Sequence, residues 1–245
     1  MLFAVTRHYL MKKLFSVIGI AAVIALMAWA FYQAMYVAPA EATMGDVARI
    51  FYYHVPHGML CYLFFSINFV ASVLVLAWRR TNPARALAAD AWALAGAEVG
   101  VVFCSVVLIT GPLWGRPVWG IWWTWDARLT TTLVLWLIYV SYLLARRFTA
   151  GAEMQTLAAV LSVFGALDMP INYLANRLWR TQHPSPVFGG DPDAGLKDPR
   201  MLAAFGWNVL AWAVWGLTVL AIRIYIQRRQ QRIDGAEALA ALAGD

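Results

Sequence analysis

The sequence predicts an all-α fold: a polytopic integral membrane protein with six transmembrane helices. Hydrophobic residues make up 62% of the 245-residue chain and charged residues 13%, about half the ~25% usual in soluble domains. Six stretches are close to the roughly 20 mainly apolar residues that a span needs. Basic residues cluster on alternate connections, the pattern that orients a membrane protein. The formal net charge of +6 is therefore read as topology and not as a nucleic-acid footprint.

The spans fall at about 14–36, 55–78, 91–113, 129–145, 154–173 and 201–222, in one membrane domain covering 1–245. One set of span ends carries Arg7, Lys12 and Lys13, then Arg79, Arg80 and Arg85, then Arg146 and Arg147, then Arg228, Arg229 and Arg232. The other set carries fewer basic residues, with Glu41, Asp46, Asp126, Asp191, Asp193 and Asp198 among them. Both termini are then expected on the cytoplasmic side, with loops 37–54, 114–128 and 174–200 on the outer face. The first apolar run exceeds the about 7–15 residues of a signal h-region, so it reads as a retained span. Met44, Val47, Ile50 and Phe51 recur at helical spacing, which predicts a short amphipathic helix over 42–53 on the outer surface. The Ala-rich, acidic tail after Arg232 reads as a frayed helix.

The connection between the third and fourth spans is the most unusual stretch. It packs Trp114, Trp119, Trp122, Trp123 and Trp125 into one segment that ends in Asp126. Gly115, Pro117 and Gly120 punctuate it, which argues against a regular helix. Two readings stand side by side. A flat, indole-rich surface suits a large planar apolar ligand. Tryptophan is also enriched at membrane interfaces without any ligand, although a belt scatters single residues across helix ends.

Of four histidines, His54, His57 and His183 fall on the side of this tract; His8 lies near the N-terminus and has no evident role. Neutral imidazole ligates metals, and one His on each face of a porphyrin is a common way to hold haem iron. The alternative is interfacial His hydrogen-bonded to backbone. His54 and His57, three apart, lack the third ligand of a dedicated zinc or copper site. Arg116 and Arg128 flank the tract and suit either a carboxylate fork or headgroup contact. Asp126 suits a pairing with one of these arginines or with an indole N–H. Glu98 and Asp168 lie within spans, where ionisable groups are costly; helix-packing hydrogen bonds are the simpler role. Cys61 and Cys104 lie in apolar runs and read as small hydrophobes. The chain contains no G-x-x-x-x-G-K-[ST], no H-E-x-x-H and no evident Ser-His-Asp arrangement, so neither P-loop ATP binding nor catalysis has positive support.

Four segments together resemble the CcmC family of cytochrome c maturation proteins, within the Trp-rich (WWD-domain) haem-handling superfamily. They are Tyr53-His54-Val55-Pro56, the run from Thr110-Gly111-Pro112-Leu113-Trp114 through Trp125-Asp126-Ala127-Arg128-Leu129-Thr130, Asp168-Met169-Pro170-Ile171, and Trp179-Arg180-Thr181-Gln182-His183. The resemblance runs from the first span to the sixth. It implies a multi-pass protein of the bacterial cytoplasmic (inner) membrane that presents non-covalent haem b at the periplasmic face. His54 and His183 would be the axial ligands of the iron, and Trp114, Trp119, Trp122, Trp123, Trp125 and Asp126 would contact the haem. Implied partners are the haem chaperone CcmE, the ABC transporter subunits CcmA and CcmB, and the small membrane protein CcmD. Near the second His the family pattern reads Trp-Trp-Arg-Thr-Leu-His-Gln, where this chain has Leu178, Gln182 and Pro184 at the first, fifth and seventh places. A haem–apocytochrome ligase is the competing expectation, but such relatives are larger and have more spans.

Overall fold

The computed structural model describes residues 2–148, 151–184 and 196–243; for 2–16, 151, 152 and 242 it describes backbone only. Among the described residues there are six long helices and no strand. They are α1 (Leu2–Tyr32), α2 (Phe51–Trp78), α3 (Pro83–Trp119), α4 (Ala127–Phe148), α5 (Gly151–Leu178) and α6 (Pro199–Ala243). All six contain a stretch long and apolar enough to cross a membrane, in agreement with the sequence. The side chains of Arg7, His8, Lys12 and Lys13, and all of Asp191 and Asp193, lie outside the described residues.

The helices alternate in direction. The C-terminal ends of α1, α3 and α5 therefore meet the N-terminal ends of α2, α4 and α6 at one end of the bundle. The tightest pair is α2 with α3, α5 bridges α2 and α4, and α6 packs on α3, α2 and the peripheral α1. Small residues explain the α2–α3 contact. A Cβ on Gly96 would stand 2.9 Å from both the Asn68 N and the Phe64 O of α2, so only glycine allows these backbones to meet. One turn on, Gly100 lies under the Phe65 ring, which stacks on Tyr139 of α4 at 3.7 Å.

Hydrophobicity cannot drive helix association in lipid, and buried polar contacts supply specificity instead. Asn68 donates to Ala93 O at 2.7 Å and accepts from Ser162 of α5. Arg146 of α4 makes a bidentate pair with Asp90 of α3, at 2.6 and 2.8 Å. Arg223 of α6 does the same with Glu98 of α3, at 2.6 Å for both contacts. Glu98 thus has the helix-packing role expected for it. Asp168 keeps one buried carboxylate oxygen without a hydrogen-bond partner among the described residues. Cys61 and Cys104 are buried free thiols.

Three local expectations are corrected. The tract does not interrupt the helix at Gly115 or Pro117: α3 continues through both and ends at Trp119. The Trp119 ring occupies the space beside Gly115, 3.2 Å from where a Cβ would stand, and prolines are tolerated in membrane helices. Gly120 ends the helix in the left-handed region, φ 79°. The loop 114–128 therefore shrinks to residues 120–126. Second, 42–53 is not one amphipathic helix. Glu41 closes a turn by accepting from the backbone N–H groups of Thr43 and Met44. A 3-10 turn, Asp46–Ile50, then runs straight into α2. Its Arg49 donates to Ala34 O and Ala38 O, satisfying carbonyls left open where α1 ends in the π-turn Gln33–Val37. Third, the tail after Arg232 is continuous helix to Ala243. At 45 residues, α6 is about 67 Å long, roughly twice the ~30 Å hydrocarbon core.

Candidate functional site

The site lies at the bundle end where irregular backbone joins α3 to α4 and follows α5. His54 stands in the first turn of α2. His183 stands in the non-helical segment after α5. Their rings face each other with centroids 6.3 Å apart and planes inclined by 34°.

The hydrogen bonds show which nitrogen of each ring is engaged. His54 Nδ1 lies 2.8 Å from Thr110 Oγ1 on α3, and that hydroxyl already donates to Val106 O at 2.6 Å. His183 Nδ1 lies 2.9 Å from Pro184 O and 3.3 Å from the Asn176 side-chain amide, which itself donates to Pro184 O at 2.8 Å. Both Nδ1 atoms are therefore engaged by the protein, which leaves both Nε2 atoms without a hydrogen bond among the described residues. Burial pushes the His183 imidazole below its ordinary value near 6.5; Arg128 pushes the same way, while the Pro184 carbonyl and Asp126 oppose. His183 is therefore neutral at neutral pH, the form that ligates metal.

The Trp tract is two parts. Trp114 and Trp119 sit on the last turns of α3 and meet edge to face at 5.1 Å. Trp122, Trp123 and Trp125 sit in the extended connection, where Trp123 and Trp125 meet edge to face at 5.8 Å. Trp122 and Trp125 are 59% and 76% exposed, far more than their half-buried neighbours, so they form the open face of the tract. Among the described residues the buried Trp123 indole N–H has no hydrogen-bond partner, a donor that a bound ligand would satisfy.

Among the described residues Asp126 pairs with neither Arg116, Arg128 nor an indole. It accepts from the backbone N–H of Leu129 at 3.0 Å, capping α4, and from Thr124 Oγ1 at 3.0 Å. Gln182 N also approaches it, at 3.4 Å, tying the His183 segment to the tract. Arg116 donates to Gly120 O and so closes its own helix. Arg128 donates to Asn172 O on α5 at 2.5 Å and lies close enough to influence His183. Arg180, with Thr124, Asp126, Thr181 and Gln182, lines an open depression of about 290 Å³. His57 is apart from all of this: it is buried, its Nδ1 donates to Tyr53 O at 2.7 Å, and its ring packs on Trp212 and Phe103. Among the described residues no three His, Cys, Asp or Glu side chains form a metal cluster.

Thr110 and Asn172 are structural supports of this end of the bundle that residue chemistry alone did not single out. Asn172 accepts from Tyr62 of α2 and donates to Thr131 and Thr132 of α4, at 2.7 and 2.8 Å. It thereby fixes the start of α4 against α5. Both residues were visible only as members of the motif segments or their continuation. Gln182 and Pro184, where the chain departs from the family pattern, contribute a backbone N–H and a backbone C=O. Side-chain changes there leave those groups in place.

A protein-family model described as CcmC, heme exporter protein C, matches residues 3–238. The heme exporter protein C of Bradyrhizobium diazoefficiens is 34% identical over 217 residues, 86% of this chain and 79% of the relative. That of Escherichia coli K12 is 31% identical over 188 residues, 76% of this chain and 73% of the relative. A cytochrome c biosynthesis ccmC-like mitochondrial protein of Marchantia polymorpha is 31% identical over 211 residues, 84% of this chain and 88% of the relative. With a family model spanning nearly the whole sequence and relatives at these identities, the chain belongs to the heme exporter protein C family.

Proposed function

We propose that this protein presents haem for cytochrome c maturation, holding non-covalent haem b between His54 and His183 at the outer, periplasmic face of the bacterial inner membrane. The observation that carries the reading is the His pair. Two imidazoles on opposite sides of one metal, each bond about 2 Å long, have ring centres roughly 6 Å apart, and these stand 6.3 Å apart. Among the described residues their Nε2 atoms make no hydrogen bond, and the buried Trp123 indole N–H of the tract has no partner. The tract of Trp114, Trp119, Trp122, Trp123 and Trp125 supplies apolar contact without a covalent bond, and the chain has no C-x-x-C-H attachment motif.

Haem is cargo here, so the chain's task is to hold and release it. His54 and His183 ligate, the exposed indoles of Trp122 and Trp125 leave one side open, and Asp126 keeps the His183 segment against the tract. Of the two arginines flanking the tract, Arg128 stands by the His pair, while Arg116 is engaged by Gly120 O. The recipient is the haem chaperone CcmE, and CcmA, CcmB and CcmD complete the transporter assembly; this chain performs no catalysis of its own. The basic residues Arg79, Arg80, Arg85, Arg147, Arg228, Arg229 and Arg232 lie at the end of the bundle opposite the His pair. By the positive-inside rule this supports a cytoplasmic position for that end.

The test is the absorption spectrum of purified protein and of its His variants. A six-coordinate, low-spin haem is expected, extractable with acidified organic solvent. His54→Ala and His183→Ala each lose haem or open a coordination site, and added imidazole partly restores the spectrum. Protein that purifies without haem and fails to bind it when supplied overturns the proposal.

A further inference from the structure

We infer that Thr110 is a positioning residue that fixes His54 as the Nδ1–H tautomer and leaves Nε2 as its free donor atom. Thr110 stands on α3 and His54 on α2, so the contact crosses the tightest helix pair in the bundle. The hydroxyl has one proton and two close oxygen or nitrogen neighbours. Val106 O, 2.6 Å away, is a carbonyl and can only accept. Two acceptors at that distance would repel, so the Thr110 proton lies on the line to Val106. His54 Nδ1, 2.8 Å from the same oxygen, must then be the donor. The result is a relay of fixed direction, from His54 Nδ1–H to Thr110 to the Val106 carbonyl.

The back-bond to the preceding turn also restricts the Thr110 side chain, because a helical threonine that bonds the i−4 carbonyl is held in one rotamer. Val106, Thr110 and the α2 backbone near His54 belong to regular helix, so the ring is aimed by rigid elements. His183 Nδ1 is engaged differently, by the carbonyl of its own neighbour Pro184 at 2.9 Å and by the Asn176 side-chain amide at 3.3 Å. A substitution at Thr110 therefore acts on His54 and leaves the contacts of His183 in place.

The tautomer is a property of the haem-free protein, while its consequence for affinity rests on the proposed ligation by His54. Both can be measured. Haem-free protein labelled with 15N in its histidine rings is examined by NMR in detergent, with His54 assigned by its loss in His54→Ala. Wild type and Thr110→Ser are expected to show His54 protonated at Nδ1 alone. Thr110→Val, which exchanges the hydroxyl for a methyl, is expected to show a mixture or the Nε2–H form, with His183 unchanged. Titration with ferric haem should then show about tenfold weaker binding for Thr110→Val and no change for Thr110→Ser, the usual scale for a support behind a metal-ligating His. A wild-type His54 protonated at Nε2, or a Thr110→Val protein that keeps Nδ1–H alone, overturns the inference. If Thr110→Val does not fold, the wild-type and Thr110→Ser spectra decide it. If the tautomer shifts as expected while His54→Ala binds haem normally, the positioning role stands and the ligand assignment falls.

Discussion

The backbone N–H of Gln182 points at the Asp126 carboxylate, 3.4 Å away, across the gap between the α4 start and the segment that carries His183. The same carboxylate caps α4 through Leu129 N. One side chain therefore sets the helix start and the approach of the second histidine. Asp126→Ala removes both contacts. It should cost about 1 kcal/mol as a lost cap and lower the haem content of purified protein. Asp126→Asn keeps an acceptor oxygen for the cap but sets an amide N–H2 against the Gln182 N–H, so it should keep most of the stability and still lower the haem content. Haem per polypeptide, measured on both variants, checks this. Equal haem in wild type and Asp126→Ala would show that the His183 segment is held by other contacts.

His57 separates stability from ligand binding. It is buried, with its ring 4.3 Å from Trp212 and 4.8 Å from Phe103, so His57→Ala opens a cavity in the α2–α3–α6 core. A loss on the order of 2–4 kcal/mol is expected. The haem spectrum should keep its wild-type position, because neither His54 nor His183 touches this ring's packing. Thermal unfolding and absorption on one preparation give both readouts. A changed spectrum at normal stability would mean that His57 takes part in ligation.

Much of the fold was legible because hydropathy and length alone define a span, and alternation along the chain then brings His54 and His183 to one end. The Trp tract was legible as a cluster but not as a shape. Its helical half depends on Trp119 filling the space beside Gly115 and on Gly120 adopting a positive φ, both consequences of the folded chain. Arg146 read as a free orienting charge, yet it is buried against Asp90, because partner choice between helices leaves no pattern in one sequence. Arg116 read as suited to either a carboxylate or a lipid headgroup for the same reason: only the folded turn shows that Gly120 O takes it.

The acid limb of haem binding should report His183. Burial, reinforced by Arg128, depresses this group below 6.5, so the unfolded chain binds a proton more readily than the folded site does. Stability from this group is therefore complete above about 6.5 and is lost as pH falls below that toward the depressed folded value. Haem retention should be flat from pH 8 to 7 and decline on the acid side. Replacing His183 by Ala and supplying imidazole moves the limb toward the pKa of free imidazole. A retention curve that instead falls between pH 7 and 8 would contradict a neutral, buried His183.

The exposed and half-buried tryptophans should separate in function. Trp114 and Trp119 lock against each other at the end of α3, and Trp119 also closes the space at Gly115, so Trp119→Ala should loosen the helix end and lower stability as well as haem retention. Trp122 and Trp125 are largely exposed, Trp125 meeting the edge of Trp123. Their replacement by Ala should leave membrane insertion and thermal stability near wild type, while haem retention and capture of CcmE both fall. Dispersion and burial are all that an indole platform supplies, which suits a cargo that must leave. Co-purification of CcmE with each variant, with haem quantified in the same sample, tests the division. If the Trp122→Ala, Trp125→Ala double variant keeps its haem and still loads CcmE, the open face is an ordinary aromatic belt at the membrane surface.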